Sequence, residues 1–457
     1  MAQVVGQTRT LNAKLQVSGG QERIEISASS EQLDENSSAL GTRIEQTQVK
    51  ELPLDGRNWA TLTALAAGAV DTGGSNQRTV RFAGRGRDDD HFTYDGIDAT
   101  NIINQAQQPY VRLAIPLDTI GEFRVNSMLA TAEVGGTGGP QLAVTSPSGT
   151  NRLHGDAFEF FRNNAFDAKV PVPINTVNPA QPPFHLNQFG GAVGGPIASD
   201  KTFFFAAYEG YRQILGQTLL GYVPSDTFRA QVAAESPVLI PILNAYPEGQ
   251  ILISPNVSEF IGEGRQTVSE NSGMFRIDHR FSDKTTIFVR ANIDEAVSNA
   301  PLASSGQYLQ GQQQLTSSPV NSVIELLHVF SSTLVNEFKF GLNRSTANTD
   351  NINQTAVLYA FTVSGFTTLN NNKQSMGTGN SFSEIDNVTW VKGRHTVKAG
   401  AEIRRIQLNQ GNSASGTVNF ASQAAFAANQ VNTATLTGVL PVNGLRKTQY
   451  FGYLRRV

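Results

Sequence analysis

The sequence predicts a mainly β protein, a small α+β domain followed by an antiparallel transmembrane β-barrel. Three observations carry this. Segments of about 10 residues alternate apolar and polar side chains, the length that crosses a bilayer at a tilt. Tight turns alternate with connections of roughly 20 to 50 residues, which are uncommon in compact soluble domains and expected of outer-membrane barrels. The chain has 42 Gly and 26 Phe in 457 residues, with charged residues at only 16%, a balance that suits strands and polar loops rather than a helical bundle.

Composition also sets exclusions. The absence of cysteine removes disulfides, thiolate metal sites and cysteine nucleophiles. A formal net charge of -3 gives no argument for nucleic acid or an acidic lipid surface. The opening MAQVVGQTRT lacks the apolar core of a signal peptide. No run reaches the length of a membrane helix, which does not bear on a barrel, where lipid-facing residues fall at every second position.

In chain order, residues 11–17 and 23–29 alternate around Gly19-Gly20 and read as the last hairpin of a β-sandwich, followed by a polar linker; a disordered leader with incidental alternation is the alternative. Glu51 to Val70 reads as a helix: Asn58 is the N-cap, Trp59, Leu62, Leu65 and Ala66 recur at helical spacing, and Gly68 is the stop. Val80 to Ala99 reads as strand, charged turn, strand, turn. Its aspartates, Asp88, Asp89, Asp90, Asp95 and Asp98, lack the alternation of a calcium loop and read as a solvated turn paired with Arg85 and Arg87. Gly84-Arg85-Gly86 lacks the third glycine and the helix of a phosphate loop.

Residues 101–116 form a long polar connection. Asn101, Asn104, Gln105, Gln107, Gln108, Tyr110 and Arg112 combine amides with an aromatic ring, the composition of a surface that hydrogen-bonds and stacks on a polar ligand; an ordinary exposed loop has it too. The central stretch, Ile115 to Ala168, holds a strand (Glu122 to Val125), a glycine-rich turn (Gly135, Gly136, Gly138, Gly139), a second strand (Gln141 to Thr145) and a polar turn. At His154 the pattern changes to long alternating strands.

Predicted hairpins join Phe184–Pro196 to Lys201–Tyr211, Asn271–Phe281 to Lys284–Ile293, Val320–Phe330 to Leu334–Arg344, and Phe382–Trp390 to His395–Arg405. In one, Ile287, Val289, Ala291 and Ile293 share a face opposite Thr286, Phe288, Arg290 and Asn292. In another, Val397, Ala399, Ala401 and Ile403 oppose Lys398, Glu402 and Arg404. The longest connections are Leu215–Arg265, Asp294–Ser318 and Ser345–Ser381. No catalytic motif is present. Ser148, His154 and Asp156 contain triad residue types without an argument for triad geometry, and the six histidines show no metal-ligand spacing. No cofactor, metal or catalytic residue is assigned.

The blocks ELPLDGRNWATLTALAAGAV, FAGRGRDDDHFTYDGID, IPLDTIGEFRV with AEVGGTGGPQLAVTSPSGTNRLHGDAFEFFRNNAFDA, and NQFGGAVGGPI with DKTFFFAAYEGYR resemble, in this order, TonB-dependent outer-membrane receptors. The likeness is greatest to the Oar-like branch, which carries a carboxypeptidase-regulatory-like β-sandwich before the plug. It covers roughly residues 44 to 211 by motif and the rest by strand pattern. It implies residues 1–43 as the sandwich end and linker, 44–150 as a plug folded inside the barrel, and 151–457 as barrel. It places 101–116 and 126–133 among apical plug loops facing ligand, and implies uptake of a large polar nutrient (oligosaccharide, peptide or metal chelate). The implied partners are the periplasmic TonB complex, outer-membrane lipid and a polar ligand; nucleic acid is not one.

The sequence departs from that pattern. Plugged transporters have 22 strands, whereas roughly 11 are readable here at about 10 residues each. The expectation is a plug with part of a barrel, a truncated chain whose open edges lipid does not tolerate. A surface β-barrel for adhesion or export without energised transport is the alternative. A soluble all-β hydrolase would need two carboxylates facing one cleft.

Overall fold

The computed structural model describes residues 40–51, 54, 57, 62–63, 65–71, 80–82, 91–100, 115–128, 141–168, 183–302, 311–351, 359–369 and 374–456. The expected sandwich hairpin, the turn at 83–90, the polar connection at 101–114 and the glycine-rich turn at 135–139 lie outside them.

A five-stranded inner sheet comes first. β1 (Leu40–Glu45) leads into α1 (Gln46–Glu51). β2 (Ala69–Asp71) and β3 (Val80–Phe82) pair separately. β4 (His91–Tyr94) and β5 (Ile97–Asp98) form a hairpin, followed by β6 (Glu122–Met128) and β7 (Gln141–Thr145). The sheet order is β1-β6-β7-β4-β5, with β4 and β7 parallel. Alternation decides its faces: Phe92 and Tyr94, Phe123 and Val125, and Leu142 and Val144 turn to one side. They form a core with Ile44, Val49, Leu62, Ala66, Ile115, Leu117 and Ile120. Burying each such large side chain stabilises the sheet by roughly 1.5–3 kcal/mol.

Among the described residues of 51–70 the expected helix does not appear; its N-cap Asn58 and its Trp59 lie outside them. α1 ends at Glu51, and Arg57, Leu62, Thr63 and Leu65 lie in 3₁₀ turns. Ala66 N bonds to Thr63 O and Ala69 N to Ala66 O, because the chain must reverse at once into β2. Gly68, expected as a helix stop, has φ 80° and lies in the turn into β2. Leu62 and Ala66 are buried, while Leu65 is 60% exposed.

The second sheet is a twelve-stranded antiparallel wall. It comprises β8 (His154–Asn163), β9 (Phe184–Ala198), β10 (Thr202–Pro224), β11 (Ile251–Ser254), β12 (Val257–Ser282) and β13 (Thr285–Pro301). It continues with β14 (Gln312–Ser317), β15 (Val320–Ser331), β16 (Leu334–Asn351), then, beyond β17 (Ala360–Val363), β18 (Ser375–Lys392) and β19 (His395–Asn412). After β20 (Ser415–Phe420) and β21 (Thr433–Thr437), β22 (Leu440–Arg456) completes it. β14 and β15 occupy one row between β13 and β16. Among the described residues, β8 and β22 are the edges, each paired on one side.

The expected hairpins are present with their alternation, and their strands run longer than predicted. β10 and β12 stay in register from Thr202↔His279 to Pro224↔Val257. The alternating signal stops where the outward residues become polar, but the hydrogen-bonded ladder needs no apolar face and continues. The outward face carries exposed Phe275, Val289, Ile293, Ile324, Phe338, Phe340 and Ile403. It begins at the tight turns with the edge-on pairs His279–Phe281 and His328–Phe330, both at 4.5 Å. It ends at hydrogen-bonded polar pairs, Arg212 with Asn271 and Arg344 with Asn380. Between Phe281 and Asn271 this is about 33 Å of strand, which at the usual tilt gives an apolar band of about 25 Å.

Described parts of the connections opposite the tight turns pack on one another. α2 (Asp226–Glu235), N-capped by Ser225, packs with α3 (Ile240–Leu243), residues 359–369, β20, β21 and α4 (Gln423–Ala427). Phe228, Val232, Leu243, Tyr246, Val363, Phe366, Phe420 and Phe426 form one core contributed by three separate connections. β17 and β20 pair in parallel across two of them, and Ser236 Oγ donates to Ala427 O at 2.6 Å. The result is a single cap at the end of the wall opposite the tight turns.

Candidate functional site

The chemistry gathers where the inner sheet meets the inward face of the wall. Its centre is the β4–β5 turn, Tyr94-Asp95-Gly96-Ile97. Asp95 at φ 51° and Gly96 at φ 81° give the two left-handed residues that a tight Asp-Gly hairpin turn requires. This turn aims the Asp95 side chain out of the inner sheet and at the wall.

There the Asp95 carboxylate accepts hydrogen bonds from Ser146 N at 2.8 Å, Ser146 Oγ at 2.9 Å and Arg290 Nε at 2.6 Å. Arg290 of β13 is completely buried. Its other nitrogens donate to Asn321 O, Asn321 Oδ1 and Tyr94 O, and its guanidinium lies 3.8 Å from the Tyr94 ring centroid. Arg276 of β12 donates to Ser146 Oγ at 2.7 Å and to the Asp278 carboxylate at 2.7 Å. Burial alone would raise the pKa of Asp95, but the guanidiniums of Arg290 and Arg276 and both Ser146 donors outweigh it, and the carboxyl is held below its ordinary range. Burial is likewise the largest influence on Tyr94 and pushes its phenol up, so the hydroxyl stays neutral and donates to Thr119 O at 2.7 Å.

Two further ties flank this centre. Asp98 lies 3.5 Å from Arg404 of β19 and 3.4 Å from His91. Burial opposes its ionisation, and His91, Arg404 and the Thr100 side chain together hold its pKa below the usual value. Arg57 bridges Asp118 at 2.8 Å and Glu209 of β10 at 3.3 Å, with its guanidinium 3.8 Å from the Phe158 ring. Between them the contact is close: a Cβ on Gly341 of β16 would lie 2.5–2.6 Å from Ile97 side-chain atoms. Asn343 Nδ2 donates to Thr100 O at 2.9 Å.

On the tight-turn side of Asp95 lies a cavity of about 480 Å³, lined by Asp95, Ser146, Arg276, Asp278, Phe288 and Lys339 among others. Lys339 is held there by Glu325 at 3.0 Å and Glu337 at 3.1 Å. Among the described residues, no group of three or more His, Asp or Glu is arranged to hold a metal.

Asn101, Asn104, Gln105, Gln107, Gln108, Tyr110 and Arg112 lie outside the described residues. Asp95 and Asp98 correct the expectation of a solvated acidic turn. Both are buried and meet arginines 195 and more than 300 positions further along the chain, a pairing no local reading reaches. Arg57, read as the residue before the helix N-cap, is a tie to the wall. The sequence signal for the wall partners was present: Arg290 and Arg404 are charges on the non-lipid face of bilayer-length strands, where a charge needs a partner.

The described geometry has known counterparts. A family model described as an outer membrane beta barrel domain matches residues 145–455. No curated protein matches the chain by sequence. Among solved structures, the outer membrane transporter YddB from Escherichia coli superposes with a TM-score of 0.64 at 11% identity, over 91% of this chain and 54% of that one. The siderophore receptor PirA from Acinetobacter baumannii gives 0.51 at 13% identity, over 81% and 48%. The ferric enterobactin receptor PfeA from Pseudomonas aeruginosa gives 0.51 at 12% identity, over 82% and 50%. The chain thus spans about half the length of the solved structures it matches, and the likeness is one of fold. With more than half of its residues matched, the chain belongs to the outer membrane beta barrel domain family, an outer-membrane protein with the fold of the TonB-dependent receptors.

Proposed function

We propose that the protein is a receptor for energised uptake of a large polar nutrient, an oligosaccharide, a peptide or a metal chelate, across the outer membrane. Residues 44–150 act as the plug and 151–457 as part of the barrel. Asn101, Asn104, Gln105, Gln107, Gln108, Tyr110 and Arg112 contact the ligand, and the periplasmic TonB complex supplies the work. The observation that carries this is the chemistry of the contact between the two sheets. Three ion pairs bridge it: Asp95 with Arg290, Asp98 with Arg404, Arg57 with Glu209. A polar interface can exchange its bonds for water when parted, whereas an apolar one of equal area loses its hydrophobic stabilisation outright. Such a contact suits a domain that must move within the wall. The transporter and siderophore-receptor neighbours support the same reading.

The test is growth of cells that depend on the full gene product. Oligosaccharide, peptide and ferric chelate are made limiting in turn, with and without TonB. One source should sustain growth in a TonB-dependent manner. Growth on all three that is indifferent to both the receptor and TonB overturns the proposal and favours a binding or export role.

A further inference from the structure

Resting on that reading, we propose that solute passes the inner sheet along the β12–β13 sector of the wall, with the Asp95–Arg290 pair as the barrier on this path. Three observations meet on these two strands. On the cap side of Arg290, the inward face presents Asn292, Asp294 and Ser298 on β13 beside Ser272 and Glu270 on β12, with Ser272 directly opposite Asp294. Asn292, Ser272 and Ser298 are at most 3% exposed, yet the Asn292 amide nitrogen and both serine hydroxyls have no hydrogen-bond partner. Buried polar groups are paired in the great majority of cases, and an unpaired one calls for a cause. Here three lie on adjacent strands and face one way, in a row reaching about 26 Å from Arg290.

On the tight-turn side, the cavity rests against the same strands through Arg276, Asp278 and Phe288. The Asp95 carboxylate, held by Arg290 and Ser146, stands between row and cavity. Among the described residues, two other sectors lack this arrangement. On β16, Gly341 and Asn343 are closed against Ile97 and Thr100. On β18, the Ser381 and Ser383 hydroxyls also lack partners, but the cavity has no β18 residue in its lining.

The lining also selects by charge. No Lys or Arg occurs between Arg265 and Arg276 or between Arg290 and Pro301, and the row carries Glu270 and Asp294, both engaged by other groups. A hydroxyl-rich neutral or a cationic solute fits this row, and a polyanion does not; the cavity beyond Arg290, lined by Arg276 and Lys339 as well as Asp95 and Asp278, adds no such preference.

Residues 1–457 contain no cysteine, so thiols can be introduced singly here, with any cysteine elsewhere in the full gene product replaced by serine. Ser272→Cys and Ser298→Cys report on the row, Ser383→Cys is the control, and Asn292→Cys substitutes for any row variant that fails to assemble. Cationic and anionic methanethiosulfonates are added outside, with the membrane energised or treated with a protonophore. Energising should speed modification at 272 and 298 and leave 383 unchanged. The cationic reagent should outpace the anionic one at 298 by about tenfold, as an acidic cleft concentrates cations. Equal rates with and without energy, or acceleration at 383 alone, overturn the path. If uptake depends on TonB while both row thiols stay unreactive, the path alone fails; if uptake ignores TonB, the functional reading falls as well.

Discussion

Arg290 Nε donates to Asp95 Oδ2 at 2.6 Å, joining the wall to the inner sheet across 195 positions of sequence. The pair is fully enclosed, and each partner has further hydrogen bonds that orient it. Buried pairs of this kind contribute little net stability, because desolvation offsets attraction, but losing one member strands the other. Replacing Arg290 with Met should therefore cost about 3–5 kcal/mol, and Asp95→Asn/Arg290→Met together markedly less than Arg290→Met alone. Denaturant unfolding of the four proteins of this double-mutant cycle measures the coupling. Additive losses would show that the two residues act independently.

Acid should loosen the same contact. Asp95 and Asp98 both have folded pKa values below the ordinary range. A depressed carboxylate adds stability that is present above the unfolded value, about 4, and is lost as pH falls through the folded value. Hydrogen exchange of β4–β7 should stay protected from neutral pH down to about 5 and lose protection below about 4. Protection that ignores pH would remove these carboxylates from the seating of the inner sheet.

Gly341 and Ile97 fit with no space to spare. Gly341→Ala brings a methyl group into the Ile97 side chain and should cost about 1–3 kcal/mol. Adding Ile97→Ala should recover part of that loss by vacating the space. Thermal unfolding of the single and double variants checks it, and a second substitution that only adds damage contradicts the packing described.

The cap should respond as one body. Phe426 is fully buried among Phe228, Phe420 and the rest of the shared core. Phe426→Ala should destabilise the cap by about 3–5 kcal/mol. Limited proteolysis should then cut within 226–246 and 359–369 as well as beside residue 426, with β4–β7 unaffected. Cleavage confined to the substituted connection would mean that the connections are independent.

Much of the wall was legible in the sequence because alternation with a period of two states which side chains face lipid and which face inward. The β13 and β19 faces were read correctly from that rule alone. Strand ends were not legible: β12 begins at Val257, where the outward residues are polar and the period carries no hydrophobic contrast. The cap was hidden for a different reason. Its core draws Phe228, Phe366 and Phe426 from three connections, and no one connection holds enough apolar residues to announce a fold. At the site, the Asp-Gly turn was visible, but its burial depended on Arg290 and Arg404, whose meeting with it is a property of the closed tertiary structure.

The central claim is that the inner sheet must move relative to the wall for the protein to work. Ile97→Cys/Gly341→Cys places two thiols where the Ile97 side chain now meets the Gly341 backbone, close enough for a disulfide, with residues 1–457 otherwise free of cysteine and any cysteine elsewhere in the full gene product replaced by serine. Uptake by the full gene product should stop when this pair is oxidised and return on reduction, with either single variant insensitive to redox state. Undiminished uptake through the oxidised, cross-linked receptor would contradict the account.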